Sequence, residues 1–475
     1  MVGILGANTL SSGYDIDNSL RFNDDDSSYL HDTLGTPTNI DKFTISLWFK
    51  RGNTATGNTL ISPYRGAVGN PFGFLGFTSS SEILQFHAYD DESTQVMGVS
   101  TNKAFRDPSA WYHVVCAVDT TQSTNTNRVK IYVNGVQQTS LSETSYPDQN
   151  KDLAWNQASS VHYVAKYQYT NGNYFDGYMA DFYFIDGTQY AASDFGEFND
   201  NNVWIPKEAK NNLTFGNNGY FLEFQNTSDA GEDSSGNSNN FTGSGMDSKD
   251  HVTDTPTNNF ATLNSIFHGK GSTVLSEGNC KFVGHNGGSG KVPSTIGVTS
   301  GKWYVEFKVL NTHKLRTGIT DDIGISNDAD GVVNDGVDFG FNDGYIYTYL
   351  NGSNNDTGAG SSSSGVDVDN PSANDILGIA LDADNDTVRF YVNNTAQGSE
   401  ATDLQRASTS GAIHFFHVMD YSGSGDDETQ VECNFGNPPF AISSGNADAN
   451  GYGNFEYAPP SGFFALCTKN LAEHG

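Results

Sequence analysis

The sequence predicts an all-β protein made of two β-sandwiches in tandem, and three observations carry that prediction. One strand-and-turn occurs twice: Arg128-Val-Lys-Ile-Tyr-Val-Asn-Gly135 is echoed by Thr387-Val-Arg-Phe-Tyr-Val-Asn-Asn394. In each copy polar and apolar residues alternate as in a half-buried strand. The Asn-Gly or Asn-Asn pair supplies the positive φ that a tight hairpin needs. Gly numbers 52, and Asn, Ser, Thr and Asp are plentiful while helix formers are sparse, a balance that favours strands and turns. Finally, 475 residues exceed what one ordinary core encloses, so two cores are expected. Hydrophobic residues are only 36% of the chain but aromatics are 12%. Rings must therefore fill much of each core.

In chain order, Ser19-Leu-Arg-Phe22 reads as a short strand closed by the polar turn Asn23–Asp26. Phe43–Lys50 alternates, with Phe43, Ile45, Leu47 and Phe49 on one face and Thr44, Ser46, Trp48 and Lys50 on the other. Trp111–Val118 is nearly apolar throughout, as expected of a strand buried on both faces. The first echo strand follows, then a Tyr/Asn loop and a long strand over Tyr174–Ile185. From about 226 to 262 apolar residues thin out, which predicts a linker or loop-rich seam with Phe241, Phe260 and Leu263 as possible anchors. Beyond it, Gly301-Lys-Trp-Tyr-Val-Glu306, Asp375–Asp382, the second echo, Ile413–Val418 and Val431–Phe440 continue the strand pattern.

These motifs resemble two known families. Ser-Leu-Arg-Phe, Phe-Thr-Ile-Ser-Leu-Trp-Phe-Lys, Trp111-Tyr-His-Val-Val and the Tyr174 strand, in this order, look like the concanavalin A-like laminin-G/pentraxin sandwich over about residues 15–225. Gly301-Lys-Trp-Tyr-Val-Glu, Asp375…Gly378…Asp382 leading into Phe390-Tyr-Val-Asn-Asn, and Asn434-Phe-Gly…Phe440 resemble a SPRY domain. The resemblance implies two concanavalin A-like jelly rolls: a laminin-G-like domain over 1–227, a loop-rich linker over 228–264 and a SPRY-like domain over 265–475. The pairing, with its bridge Asp254-Thr-Pro-Thr-Asn-Asn259 and its ending Tyr457-Ala-Pro-Pro-Ser-Gly462, is similar to virion proteins of tailed bacteriophages.

The net charge of −32 argues against nucleic acid and against anionic membrane surfaces. No run approaches the ~20 apolar residues of a membrane span, and the apolar start is too short for a signal h-region. A product made in the host cytoplasm and carried in the virion is expected. Cys116, Cys280, Cys433 and Cys467 lie far apart with no Cys-x-x-Cys pair, which favours buried thiols over a disulfide framework.

Chemistry-bearing motifs are few. There is no Glu-x-Asp-x-x-Glu run for glycan hydrolysis, no Gly-x-Ser-x-Gly elbow and no phosphate-cradling loop. His414 and His417 lie three apart on a strand and so face opposite ways. Calcium is the ion the pattern suggests: Asp382, Asp384 and Asp386 have Asp-x-Asp-x-Asp spacing, with Asp24–Asp26 and the aspartates of 321–343 as alternatives. The first trio lacks the bidentate Glu of a calcium loop, so a polar hairpin turn is the stronger expectation and no metal ligand is assigned. For ligand binding, Tyr167 and Tyr169 in a polar loop and Tyr345, Tyr347 and Tyr349 on one strand face are the candidates. Against them stands plain packing within their own domain.

The expected function is that of a non-enzymatic virion structural protein, a tail fibre or tail-associated appendage for host attachment. Its partners would be other virion proteins and a host-surface glycan or protein. No nucleic acid, membrane insertion or catalytic residue is expected. Without a heptad or triple-helical repeat, any homo-oligomer must form through sandwich surfaces. A capsid decoration or cement protein is the alternative, and a glycan depolymerase is the alternative from another class.

Overall fold

A computed structural model describes residues 13–54, 57–66, 70–78, 81–267, 273–284, 290–311, 315–321, 336–340, 346–350, 353–354, 371–402, 413–420 and 429–475. The fold is all-β and concanavalin A-like. The chain divides into two compact units, one ending at Thr257 and the other continuing from Asn258.

The first unit holds two eight-stranded antiparallel sheets. One runs in the order Val136–Gln137, Val129–Val133, Trp111–Asp119, Lys42–Arg51, Gly177–Asp186, Ser19–Phe22 and His251–Val252, with Tyr220–Leu222 beside Gly177–Asp186. The other runs Leu141–Ser145, Gln95–Ala104, Ser81–Tyr89, Phe72–Thr78, Asn58–Tyr64, Val161–Val164, Tyr29–Thr33 and Thr242–Ser244. Phe43, Ile45, Leu47 and Phe49 form one core with Leu75, Phe86 and Val99 of the second sheet. The alternation predicted for Phe43–Lys50 holds, but its other face is not solvent-facing. Trp48, Trp111, Tyr178 and Tyr183 are buried in a second apolar layer with Phe195, Trp204, Phe215 and Phe221. Residues 192–215 thus roof the outer face of the first sheet.

Much of the loop-rich stretch expected over 228–264 packs onto the first unit. Thr242–Ser244 and His251–Val252 extend the two sheets, and Phe241 enters the first core. Asp254 is nearly inaccessible. It accepts hydrogen bonds from Lys50 Nζ at 2.8 Å and Trp111 Nε1 at 3.1 Å. The low apolar content that suggested a linker reflects a covering layer held by polar bonds. Phe260 and Leu263 pack in cores of the second unit.

The second unit pairs an eight-stranded sheet with a six-stranded one. The first contains Lys302–Val309, Ile376–Asp382, Thr387–Val392 and Thr395–Thr402, and the second is centred on Leu315–Thr320 and Phe415–Asp420. The echoed hairpins occupy matching places, each beside a long central strand. Asn134 and Gly135 have φ of 46° and 78°, and Asn393 and Asn394 have 46° and 64°, as a two-residue primed turn requires. Only the first copy needs glycine: a Cβ at 135 would lie 2.2 Å from the Trp204 ring. All four cysteines are buried free thiols.

Candidate functional site

The second sheet of the first unit builds its outer face differently. Register places Thr242, His31, Tyr163 and Ser62 opposite one another across four neighbouring strands. Ile61↔Leu75 and Tyr64↔Phe72 put Ser62 opposite Phe74, and Phe74 pairs with His87 and then Gly98. This transverse row lies on the face opposite the core, because its strand neighbours Leu75, Phe86 and Val164 point inward. His31, Tyr163 and Phe74 are only half-buried.

A tongue, residues 165–174, folds onto this row. It is fastened by backbone bonds: Ala165 N to Leu60 O, Phe175 N to Ala165 O, and the mutual pair Tyr167–Gly172. Ser62 Oγ, inside the row, donates to Lys166 O at 2.7 Å and accepts from Gln168 N at 3.2 Å. Ala165, Asn171 and Asn173 have positive φ, so the turns rest partly on Asn, which tolerates that region.

The tongue divides the face into two aromatic groups. On one flank Phe72 lies between Tyr169 at 4.1 Å and Tyr89 at 4.7 Å, both parallel-stacked, and Tyr167 meets Phe74 at 5.1 Å. On the other flank His31 stacks on Tyr163, and Tyr29 approaches both Tyr163 and Tyr174. Lys166 Nζ sits 4.2 Å from the Tyr29 ring centre, 5.4 Å from Tyr163 and 5.7 Å from Tyr174. Beside the first flank stands a polar group. Glu143 accepts from Gln95 and Ser100 and lies 2.8 Å from His87 Nε2. Burial lowers the His87 pKa against the pull of Glu143. Burial opposes the charge on Glu143, yet bonds from Gln95, His87 and Ser100 hold its pKa below the usual range. Burial thus disfavours charge on the imidazole, while its bonds favour charge on the carboxylate. Ser100, His87 and Glu143 have the composition of a nucleophilic triad but not its wiring. Ser100 Oγ and Glu143 both approach Nε2, while Nδ1 faces Tyr89 OH, so no relay through the ring exists.

Tyr167 and Tyr169 are therefore brought together by the fold, half-buried against their own sheet rather than extended into solvent. Tyr347 and Tyr349 lie on strand Ile346–Leu350 opposite Asp338 and Gly336. Their side chains, and Tyr345 altogether, lie outside the described residues. Sequence reasoning missed Phe72, Phe74, Tyr163, His31 and Lys166. The usable signal was Lys166 directly before Tyr167 in a tyrosine-rich loop.

The aspartate trio occupies the turn between Ile376–Asp382 and Thr387–Val392. Asp382 holds Lys302 at 2.6 Å and Asn385, Asp384 accepts from Gly301 N, and Asp386 lies 3.8 Å from His414. The three carboxylates thus serve separate partners. Asp24 accepts from Asn53, and Asp26 from Asn23. Of the 321–343 stretch, Asp338 is described and meets His417 at 3.0 Å. Gly318 stands between them in register, so the missing side chain leaves room for the pair. Among the described residues no cluster of three His, Cys, Asp or Glu side chains is arranged to hold a metal.

Two enclosed carboxyls have raised pKa values. Burial, reinforced by Glu223, Asp17 and Glu208, pushes Asp181 up to about 7, against the bond from Tyr14 OH. Burial also pushes Glu306 up to about 7, although the backbone N–H groups of Glu456 and Tyr457 donate to it at 2.8 Å. Both are almost fully inaccessible, and each fastens one stretch of chain to another.

The fold is that of a concanavalin A-like sandwich. Residues 18–193 match the laminin-G model of the concanavalin A-like lectin/glucanases superfamily, a stretch that contains the 165–174 tongue and every ring of the face. No curated protein matches the chain in sequence. Among solved structures, the human HERC1 SPRY domain is 16% identical, covering 36% of this chain and 96% of its own, with a TM-score of 0.29. Domains LG4-5 of the mouse laminin α1 chain are 11% identical, covering 96% of this chain and all of their own, with a TM-score of 0.29. The carbohydrate-binding module CBM66 of Bacillus subtilis is 10% identical, covering 34% of this chain and 88% of its own, with a TM-score of 0.24. Among the described residues no helix is long and apolar enough to cross a membrane.

Proposed function

We propose that the chain is a non-enzymatic saccharide-binding protein that works in attachment, carried on the tail of a virion. The observation that carries the binding reading is the transverse row of half-buried rings around the 165–174 tongue. Tyrosine and phenylalanine faces stack against the apolar faces of sugar rings, and the neighbouring Gln95, Glu143, Ser100 and His87 offer hydrogen-bond groups of both kinds. The matched superfamily includes lectins by its description, which supports a carbohydrate over a protein ligand. The miswired Ser100–His87–Glu143 group supports binding without turnover. The virion setting rests on the motif pairing in the sequence.

A glycan array read with the purified chain tests the binding, with Phe74→Ala and Tyr169→Ala as comparisons. Saccharide binding weakened at least ~10-fold by each variant is expected. Binding untouched by both would remove this face from the reading. Reducing ends released from a bound polysaccharide would replace attachment by hydrolysis. Antibody labelling of virions distinguishes a tail from a head position.

A further inference from the structure

We propose that Lys166 is the anion-recognition point of this face, so that the saccharide it takes carries a single negative group, a uronate-type carboxylate or a sulfate ester. The inference rests on the saccharide reading above and narrows it.

Two lysines of the first unit are buried, and they are treated in opposite ways. Lys50 is 1% exposed and is matched by Asp254 at 2.8 Å. Lys166 is 5% exposed. Among the described residues it has no carboxylate within ion-pair distance, and its ammonium group makes no hydrogen bond. What surrounds Nζ is the tyrosine set Tyr29, Tyr163 and Tyr174. An ammonium has three donors and no acceptor. Ring faces offset part of its lost hydration but satisfy none of those donors. In a chain with 56 acidic and 24 basic residues, a lysine only 5% exposed and without a carboxylate partner among the described residues leaves its ammonium open to an outside anion.

The position fits a ligand. Lys166 is fixed at its own carbonyl by Ser62 Oγ, the residue in the middle of the transverse row. Its neighbour Tyr167 belongs to the opposite aromatic flank. A sugar stacked across the tongue would therefore bring a ring substituent toward Nζ. One lysine suits one charge. The net charge of −32 disfavours long polyanions by repulsion, so the recognised unit is a short acidic motif.

The test is an array of short uronate oligosaccharides, each printed beside its methyl ester and its sulfated counterpart, followed by calorimetry on the best binder. The wild-type chain is expected to favour the acid over its ester by ~10-fold or more, a typical gain for a charge-assisted contact. Lys166→Met should bring that ratio near one, and Lys166→Arg should restore it. Preference for the sulfated arm alone, lost in Lys166→Met, supports the same point with sulfate as the group. Equal affinity of the wild type for acid and ester, or a preference that survives in Lys166→Met, overturns the role of Lys166 and leaves saccharide binding standing. Binding to no saccharide overturns both. Unchanged melting temperatures of the variants confirm that the readout is not unfolding.

Discussion

The two sheets of the first sandwich both carry aromatic rings on their outer faces, but among the described residues only one is closed by its own chain. On the first sheet, Trp48, Trp111, Tyr178 and Tyr183 are sealed beneath residues 192–215. Two of the groups trapped there are answered: Lys50 by Asp254, and His113 by Trp204 Nε1–H and Ser46. Burial pushes the His113 pKa down to about 3. With Nδ1 accepting from Trp204, the ring is neutral and its Nε2–H donates to Ser46. On the second sheet the cover among the described residues shrinks to a ten-residue tongue, His31, Phe74, Tyr163, Tyr167 and Tyr169 stay half-buried, and Lys166 has no carboxylate among the described residues. The difference teaches that ring content alone does not mark a site. The candidate face differs in carrying a nearly buried lysine with no carboxylate partner among the described residues.

That contrast can be broken experimentally. The largest effect is expected on the closed face. Asp254→Ala strands Lys50 and the Trp111 N–H, and should lower the stability of the first sandwich by about 3–5 kcal/mol in denaturant titrations. A loss below ~1 kcal/mol would mean the chain is not fastened there. Asp181 on the same sheet gives a pH signature. Its carboxyl, at about 7 when folded against an ordinary 3.8, holds a proton in the native state that the unfolded chain has lost. Its favourable contribution is therefore full below about pH 4 and disappears as pH rises through 7. Asp181→Asn should remove that slope and raise stability at pH 8, by up to ~4 kcal/mol if the whole shift is expressed. A parallel pH profile for wild type and variant would contradict it.

The open face should behave in reverse. Tyr169→Ala removes one stacked ring and should cost about 1 kcal/mol of stability while weakening saccharide binding ~10-fold. A melting shift as large as that of Asp254→Ala would make the open face structural. The smallest effect is expected from metal removal. Because Asp382, Asp384 and Asp386 have separate protein partners, a chelator should leave the melting temperature within about 1 °C. A larger drop would place a structural ion in the chain.

Much of the fold was readable because strand period and turn chemistry are local. The alternation over Phe43–Lys50, the doubly buried Trp111–Val118 and both Asn-based hairpins follow from residues adjacent in sequence. The packing of residues 228–264 was not readable. Asp254 lies more than 200 residues from Lys50, and a polar covering layer has the composition of a linker. The candidate site was half readable. Tyr167 and Tyr169 stood out in a polar loop, but Phe74, Tyr163 and His31 become one row only when strand order is known. Nothing in the local sequence distinguishes Lys166 from a lysine whose charge is matched across the sheet, as that of Lys50 is.

The tongue is tied down almost wholly by main-chain bonds at its base and by one serine of the sheet. Its tip, Gln168–Asn171, therefore has few side chains on which the sandwich depends. Substitutions there should be cheap for folding and expensive for recognition, so selection can exchange the tip like a cassette while the scaffold stays constant. An engineer wishing to redirect the chain to another surface sugar would begin with those four residues and leave every strand untouched.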